Sequence, residues 1–258
     1  MPKTLKDHSF FADIFRKAEL NFGKPESEPY LPHKQLVYKA RHLPPMMEDQ
    51  KPTVSAFHDW VFILANRNAF NREQAMRLGM KLEPIFKDHV LKEIEGERER
   101  RRKKCMASFA SKPYLTPEYE LVFDGTADSH TVANEITALE INGKPLKGKP
   151  DLVFRDRNSR NVLIIELKTW LHQGKAPLPP FGWPNLKVQL WCYGMIDDLR
   201  DAPNVLLQGL VWESQNGSFK WPRYHMLEPW NSKDPRVHDE SLELFEAFGG
   251  RYLGGTPK

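Results

Sequence analysis

The sequence predicts an α/β fold in which a central mixed β-sheet is flanked by helices. Two short apolar runs bounded by turn residues, LVF (152–154) and VLII (162–165), have the length and composition of strands. The second run is apolar on both faces, the pattern of a central strand covered on both sides. Leu82, Ile85, Phe86, Val90 and Ile94 recur at helical spacing, which supplies a covering helix. A chain of 258 residues with 40% hydrophobic content can bury one substantial core, and no internal repeat divides it.

Taken in order, residues 1–70 read as an N-terminal arm or helical extension. Residues 1–50 are rich in Pro, Lys and aromatics without periodicity, as an extended arm or a set of short helices would be, and a helical pattern runs from about Ser55 to Phe70. Residues 71–258 hold the remaining elements as one domain. Its first helix contains Glu83, which precedes Pro84 and is thereby pushed away from the α region, so the helix is expected to start or kink there. Strands follow near Tyr119–Phe123 and Glu135–Ile141, and Asn142-Gly143 is a hairpin turn into the strand that begins at Asp151. The polar loop DRNSRN (156–161) joins that strand to VLII. Next come a helix carrying Gln189, strands near Val205–Glu213 and Phe219–Met226 around an Asn216-Gly217 turn, and a short closing helix, SLELFEAF (241–248).

Composition sets bounds on function. A net charge of +4 and a pI near 8.9 permit a polyanionic partner without requiring one. Cys105 and Cys192 have neither zinc spacing nor an iron–sulfur ligand set, so neither zinc nor a cluster is expected. There is no signal-peptide pattern and no apolar run long enough to span a bilayer; a cytoplasmic setting and no membrane partner are the expectation. His58, His89, His130 and His172 are scattered and read as surface or packing residues.

The chemistry concentrates between Gly148 and Trp170. If Arg155 faces Val162 across the hairpin, Asp151 faces Glu166, and like charges directly opposite are destabilising unless something lies between them. A divalent cation resolves that conflict, because Mg²⁺ takes carboxylate oxygens and leaves other positions to water and phosphate. Alternation along the strand puts Glu166 and Lys168 on one face and Leu167 on the other. The Lys168 ammonium therefore sits beside the carboxylates, where it can orient and help deprotonate a water or stabilise charge on a phosphate. Phosphodiester hydrolysis suits this equipment, and a surface ion pair of solvent-facing residues is the plain alternative.

These residues resemble the motif of the PD-(D/E)XK nucleases, through Pro150-Asp151 and Glu166-Leu167-Lys168. Two further segments fall in the family's order. Gln189 and Tyr193 in PNLKVQLWCYGMI look like the Gln-x-x-x-Tyr motif of the RecB-like branch. Gly79, Glu83 and Pro84 in LGMKLEPIFKDHV look like the helix motif of lambda-exonuclease-like (YqaJ) nucleases. The resemblance covers residues 75–200. It implies a restriction-endonuclease-like fold with the active site at one edge of the sheet, and Mg²⁺, with Mn²⁺ as a substitute, held by Asp151, Glu166, the Leu167 carbonyl and Glu83. Many RecB-like members have His where Glu83 stands. Lys168 would be the catalytic lysine, with Gln189 and Tyr193 positioning DNA and the reacting groups. By the residues alone, Gln189 and Tyr193 read equally as a buried Tyr with a hydrogen-bonded Gln, and Glu83 as a helix cap.

Two segments are candidates for DNA contact. The run ERERRRKK (97–104) offers Arg101, Arg102 and Lys103 to a phosphate backbone, or is a solvated face. The loop LHQGKAPLPPFGWP (171–184) offers Lys175 and Trp183 to nucleic acid, or packs its aromatics on the core. The expectation is a metal-dependent DNA nuclease, an exonuclease first, in recombination, repair or phage DNA processing, acting on duplex ends or single strands and open to homo-oligomer formation. A structure-selective or restriction-type endonuclease is the enzyme alternative, and a non-catalytic nucleic-acid-binding module of the same fold is the alternative of another class.

Overall fold

A computed structural model describes residues 10–23, 33–42, 52–65, 80–96, 119–125, 133–141, 143–170, 178–214 and 224–252. Helices α1 (Phe10–Asn21), α2 (His33–His42), α3 (Val54–Ala65) and α4 (residues 80–96) precede strands β1 (Tyr119–Asp124), β2 (Asn134–Ile141), β3 (Lys144–Gly148), β4 (Leu152–Asp156) and β5 (Val162–Trp170). Then follow α5 (Pro184–Gly194), α6 (Asp197–Arg200), β6 (Val205–Glu213), β7 (Tyr224–Met226), β8 (Trp230–Asn231) and α7 (Pro235–Tyr252).

The chain is mixed α/β. Its main sheet runs β1-β4-β5-β6-β7, and β8 shares the outer side of β6 with β7. Among the described strands of this sheet, only β5 and β6 are parallel; β1, β4, β7 and β8 pair antiparallel. A parallel pair needs a crossover, and α5 lies within the one between β5 and β6. The β4–β5 hairpin closes over a turn in which the Asp156 carboxylate accepts the amides of Asn158 and Ser159 at 3.1 and 3.3 Å, with Arg160 in the left-handed region at φ 60°. Its register pairs Arg155 with Val162 and Leu152 with Ile165, as the apolar runs predict.

Alternation along β5 builds two cores. Val162 and Ile164 belong to one core with Val54, Phe57 and Trp60 of α3, Leu186 and Leu190 of α5, and Phe245 and Phe248 of α7. Leu163, Ile165 and Leu167 face Ile14 of α1 and Phe86, Val90 and Ile94 of α4. With both faces covered, β5 has no reason to alternate apolar with polar residues until it leaves the core.

Four expectations change. The Asn142-Gly143 turn does not lead straight into the Asp151 strand: β3 pairs with β2 in a separate two-stranded sheet, and the chain crosses to the main sheet at Lys149–Asp151. Pro150 at that crossing lacks the N–H that a continuous ladder would need. Helix α4 does not start at Glu83: it is helical from Met80 onward, with Pro84 on its exposed side. Ile85 fits the helical spacing but is 56% exposed, because Phe86 occupies the inward position beside it. The closing helix is longer than 241–248, spanning Pro235–Tyr252.

The segment read as an arm or extension over residues 1–70 supplies α1 to one core and α2 and α3 to the other. Thr53 also bridges Lys147 of β3, and the Lys147 amide donates to the Pro52 carbonyl at 3.0 Å. Helices α1 to α3 therefore pack with the elements that follow them, and the boundary read at residue 70 lies outside the described residues. The Asn216-Gly217 turn lies outside the described residues, as does the chain between 66 and 79.

Phe86 is fully buried against the rings of Trp212 and Tyr224. Phe86→Ala should cost about 3–5 kcal/mol, and Ile85→Ala should stay within about 0.5 kcal/mol of wild type. Urea unfolding of the two variants checks this; equal losses would show that α4 packs on a different face.

Candidate functional site

Where β4 and β5 run out of the core, three charged side chains meet. Asp151 sits one residue before β4, so the hairpin register carries it opposite Glu166. Glu166 is on the α3/α5 face of β5, and Lys168 follows on the same face two residues on. Asp151 and Glu166 are 9% and 4% exposed, deep for two carboxylates facing each other. The site thus lies at the ends of two interior strands, β4 and β5, rather than on an edge strand.

Each carboxylate is held by one oxygen. Asp151 Oδ2 accepts the Leu167 amide at 2.6 Å. Glu166 Oε1 accepts both the Lys168 ammonium at 2.7 Å and the Gln189 amide at 2.8 Å. Glu166 Oε2 is buried with no hydrogen-bond partner among the described residues. An unmatched buried carboxylate oxygen is costly, so this is a position suited to a cation or a donor. Since a strand residue directs its N–H and C=O to the same neighbour, the Leu167 carbonyl also points to the Asp151 side. It lies beyond the last β4–β5 ladder pair, so β4 does not consume it.

Burial, with the Glu166 charge beside it, pushes the Asp151 pKa well above the usual carboxylate range. Burial disfavours the charged form of Lys168, but Glu166 and Asp151 more than offset that and hold its pKa above the ordinary lysine value. With no cation between them, the two carboxylates thus favour the ammonium form of Lys168. Burial, again reinforced by Glu166 and Asp151, raises the Tyr193 pKa well above that of a free phenol.

Helix α5 brings the next layer. It begins after Trp183 with Pro184 as its first residue, where the missing N–H costs nothing. Gln189 and Tyr193, one turn apart, share its inward face, and the Gln189 amide donates to Tyr193 Oη at 3.1 Å as well as to Glu166. The Tyr193 ring lies against Gly148, where a Cβ would come within 3.0 Å of it and 2.9 Å of Val54. That close approach is why the β3 end of the hairpin has no side chain there.

Asp151, Glu166, Lys168, Gln189 and Tyr193 therefore come together as the motifs order them. Glu83 on α4 is half-buried and within electrostatic reach of both Asp151 and Lys168. Among the described residues no group of three or more His, Cys, Asp or Glu side chains is arranged to hold a metal ion. A cation here would draw on Asp151, Glu166 and the Leu167 carbonyl, with Glu83 further out. Trp183 stands edge-on to Trp170 at 5.8 Å, and Phe181 packs on Trp230 at 4.3 Å, so this end of the loop packs its aromatics on the protein. Arg101, Arg102, Lys103 and Lys175 lie outside the described residues.

Sequence reasoning missed His58. It lies on α3, and its ring feels the charges of Lys168 and Glu166. One signal was present in principle: α3 is apolar almost throughout, and His58-Asp59 interrupts it. Nothing in that interruption says which strand the ring would meet. No family model matches the chain, and no curated protein matches it in sequence. No helix among the described residues is long and apolar enough to cross a membrane.

The facing carboxylates carry a testable cost. With metal removed by EDTA, Asp151→Asn keeps an oxygen for the Leu167 amide and deletes one of two like charges, so it should stabilise the fold by up to about 1 kcal/mol. The gain should appear as a Tm rise of about 2–4 °C for a chain of this size. It should be largest where both carboxylates are ionised and shrink as pH falls through the raised Asp151 pKa. An unchanged or lower Tm at pH 8 would mean that the two charges do not oppose each other.

Proposed function

We propose that this chain is a metal-dependent nuclease of the PD-(D/E)XK type that hydrolyses DNA. The observation that carries the reading is the pair of buried, facing carboxylates, Asp151 and Glu166, with Lys168 on Glu166 and one Glu166 oxygen unmatched. Two like charges buried together are a poor design for stability and a good one for a divalent cation. Asp151, Glu166 and the Leu167 carbonyl would hold Mg²⁺ or Mn²⁺. Such an ion supplies Lewis acidity, making water a stronger acid and offsetting charge on a phosphate.

The chain's own residues do the rest. Lys168, kept cationic by the carboxylates, stands beside them to offset charge on the phosphate and orient the attacking water. Gln189 fixes the Glu166 carboxylate from the α5 side, and Tyr193 in turn fixes Gln189. Glu83 adds negative charge on the α4 side of the same site. The surrounding apolar residues keep the carboxylates from water and strengthen each of these interactions.

An exonuclease is the first choice within this reading, through the likeness of the Glu83 and Gln189 segments to recombination nucleases. The test is cleavage of matched linear and covalently closed circular duplex DNA with Mg²⁺, Mn²⁺ or EDTA, with Lys168→Ala beside wild type. Metal-dependent loss of the linear form alone is expected, and Lys168→Ala should lower the rate by about 100-fold or more while remaining folded. Cutting of both forms would assign an endonuclease. Absence of lysine-dependent cleavage with every metal on duplex DNA, single-stranded DNA and RNA would overturn the reading in favour of a binding module.

A further inference from the structure

Because β5 and β6 are parallel, α5 in the crossover between them runs antiparallel to both. Two contacts fix how it lies along β5: Gln189 on Glu166 at 2.8 Å, and Trp183 edge-on to Trp170 at 5.8 Å. One helical turn advances about 5.4 Å and two strand residues about 6.6 Å. Asn185, one turn before Gln189, therefore comes level with Lys168, two residues after Glu166.

Asn185 is 6% exposed, and its Nδ2 lies 2.7 Å from His58 Nε2. An amide N–H only donates, so Nε2 is the acceptor and the ring proton sits on Nδ1, facing Asp59 Oδ1 at 3.2 Å. The opposite amide orientation would put a proton on Nε2 and turn a bare Nδ1 to the Asp59 carboxylate unless the ring were charged. Burial of the ring, to which the Lys168 charge adds, disfavours that charge even with Asp59 beside it. Both ring nitrogens are thus engaged, and His58 holds an amide instead of exchanging protons with a substrate. The held amide leaves Asn185 Oδ1 buried with no partner among the described residues.

We infer that His58 and Asn185 are positioning residues that act through Lys168. His58 fixes the Asn185 amide so that its oxygen, which makes no hydrogen bond to Lys168 in this structure, stands as a second acceptor for the ammonium when it leaves Glu166. The ammonium has three donors, and its hydrogen bond in the structure goes to Glu166 Oε1. That acceptor holds the cation in place when Glu166 is engaged elsewhere. This inference rests on the nuclease reading of Asp151, Glu166 and Lys168.

The experiment is steady-state cleavage of linear duplex DNA with Mg²⁺ by wild type, His58→Ala, His58→Gln and Asn185→Ala, with Tm measured for each. His58→Ala and Asn185→Ala should lower kcat about tenfold or more with KM within about twofold, because a misplaced charge costs rate rather than binding. His58→Gln, whose amide oxygen can accept from Asn185, should keep kcat within about threefold of wild type. Ring ¹⁵N shifts of His58 in wild type should show the Nδ1–H tautomer, and the Nε2–H tautomer would overturn the inference. So would wild-type kcat in His58→Ala or Asn185→Ala measured well below their Tm, or a loss in His58→Ala that Gln does not rescue. If His58→Ala does not fold, Asn185→Ala and the tautomer decide. Wild-type protein without lysine-dependent cleavage removes the nuclease reading and this inference with it, whereas cleavage untouched by these variants removes this inference alone.

Discussion

The register of one antiparallel pair organises this molecule. Arg155 against Val162 and Leu152 against Ile165 carry Asp151 to a place opposite Glu166, and a slip of one residue would send Glu166 and Lys168 into the α1/α4 core. The apolar residues of β5 forbid that slip, since each already has its own core to fill. Hydrophobic sorting on two faces thus fixes the position of charges that contribute nothing to the sorting themselves. Glu166 can remain in so apolar a setting because Lys168 and Gln189 both reach one of its oxygens.

From that point the surroundings assemble in layers. Gln189 on α5 answers Glu166, Trp183 answers Trp170, and His58 with Asn185 fills the level between. Oxygens on Glu166, Gln189 and Asn185, at the junction of α5 with β5, have no hydrogen-bond partner among the described residues. Buried polar atoms left open cost stability, and others among the described residues, on Gln208, Trp230, Arg236 and Ser241, lie away from the charged site.

Much of this is legible in the amino-acid sequence. The lengths and apolar character of LVF and VLII indicate the two strands and, with their turn, the facing of Asp151 and Glu166. Helix α5 follows from Gln189, Tyr193 and their apolar neighbours. What could not be read has physical reasons. Pro150 ends one ladder and lets the next begin, so β3 belongs to a different sheet from β4, and local pattern does not say which sheet a strand joins. Ile85 and Phe86 are adjacent apolar residues on one helix, and only the facing sheet decides that Phe86 is the one enclosed. His58 meets its partner across 127 residues of sequence, a separation at which spacing carries no information. Residues 1–50 do hold two short amphipathic stretches, Phe11, Ile14 and Ala18 on α1 and Leu36, Val37 and Ala40 on α2, whose helical spacing the Pro- and Lys-rich flanks obscure.

The ends of the described chain are tied to each other. The Gly23 amide donates to Asp234 at 3.0 Å, Asn21 to Glu228 at 2.9 Å, and α2 packs on α7. Phe57 and Trp60 of α3, the helix that carries His58, lie against Phe248 of α7. During synthesis, then, α1 to α3 leave the ribosome long before the surfaces they cover exist, and exposed amphipathic helices wait for about 200 further residues at rates of about 5–20 residues per second. Contacts of such long sequence separation close slowly, because loop entropy opposes them until the last partner arrives. The β4–β5 hairpin can form from local contacts, whereas α3 and α5, which carry His58 and Gln189, gain the backing of α7 only when that helix docks. The helices behind the charges thus depend on the final helix of the described fold for their backing, and the strands that bear the charges do not.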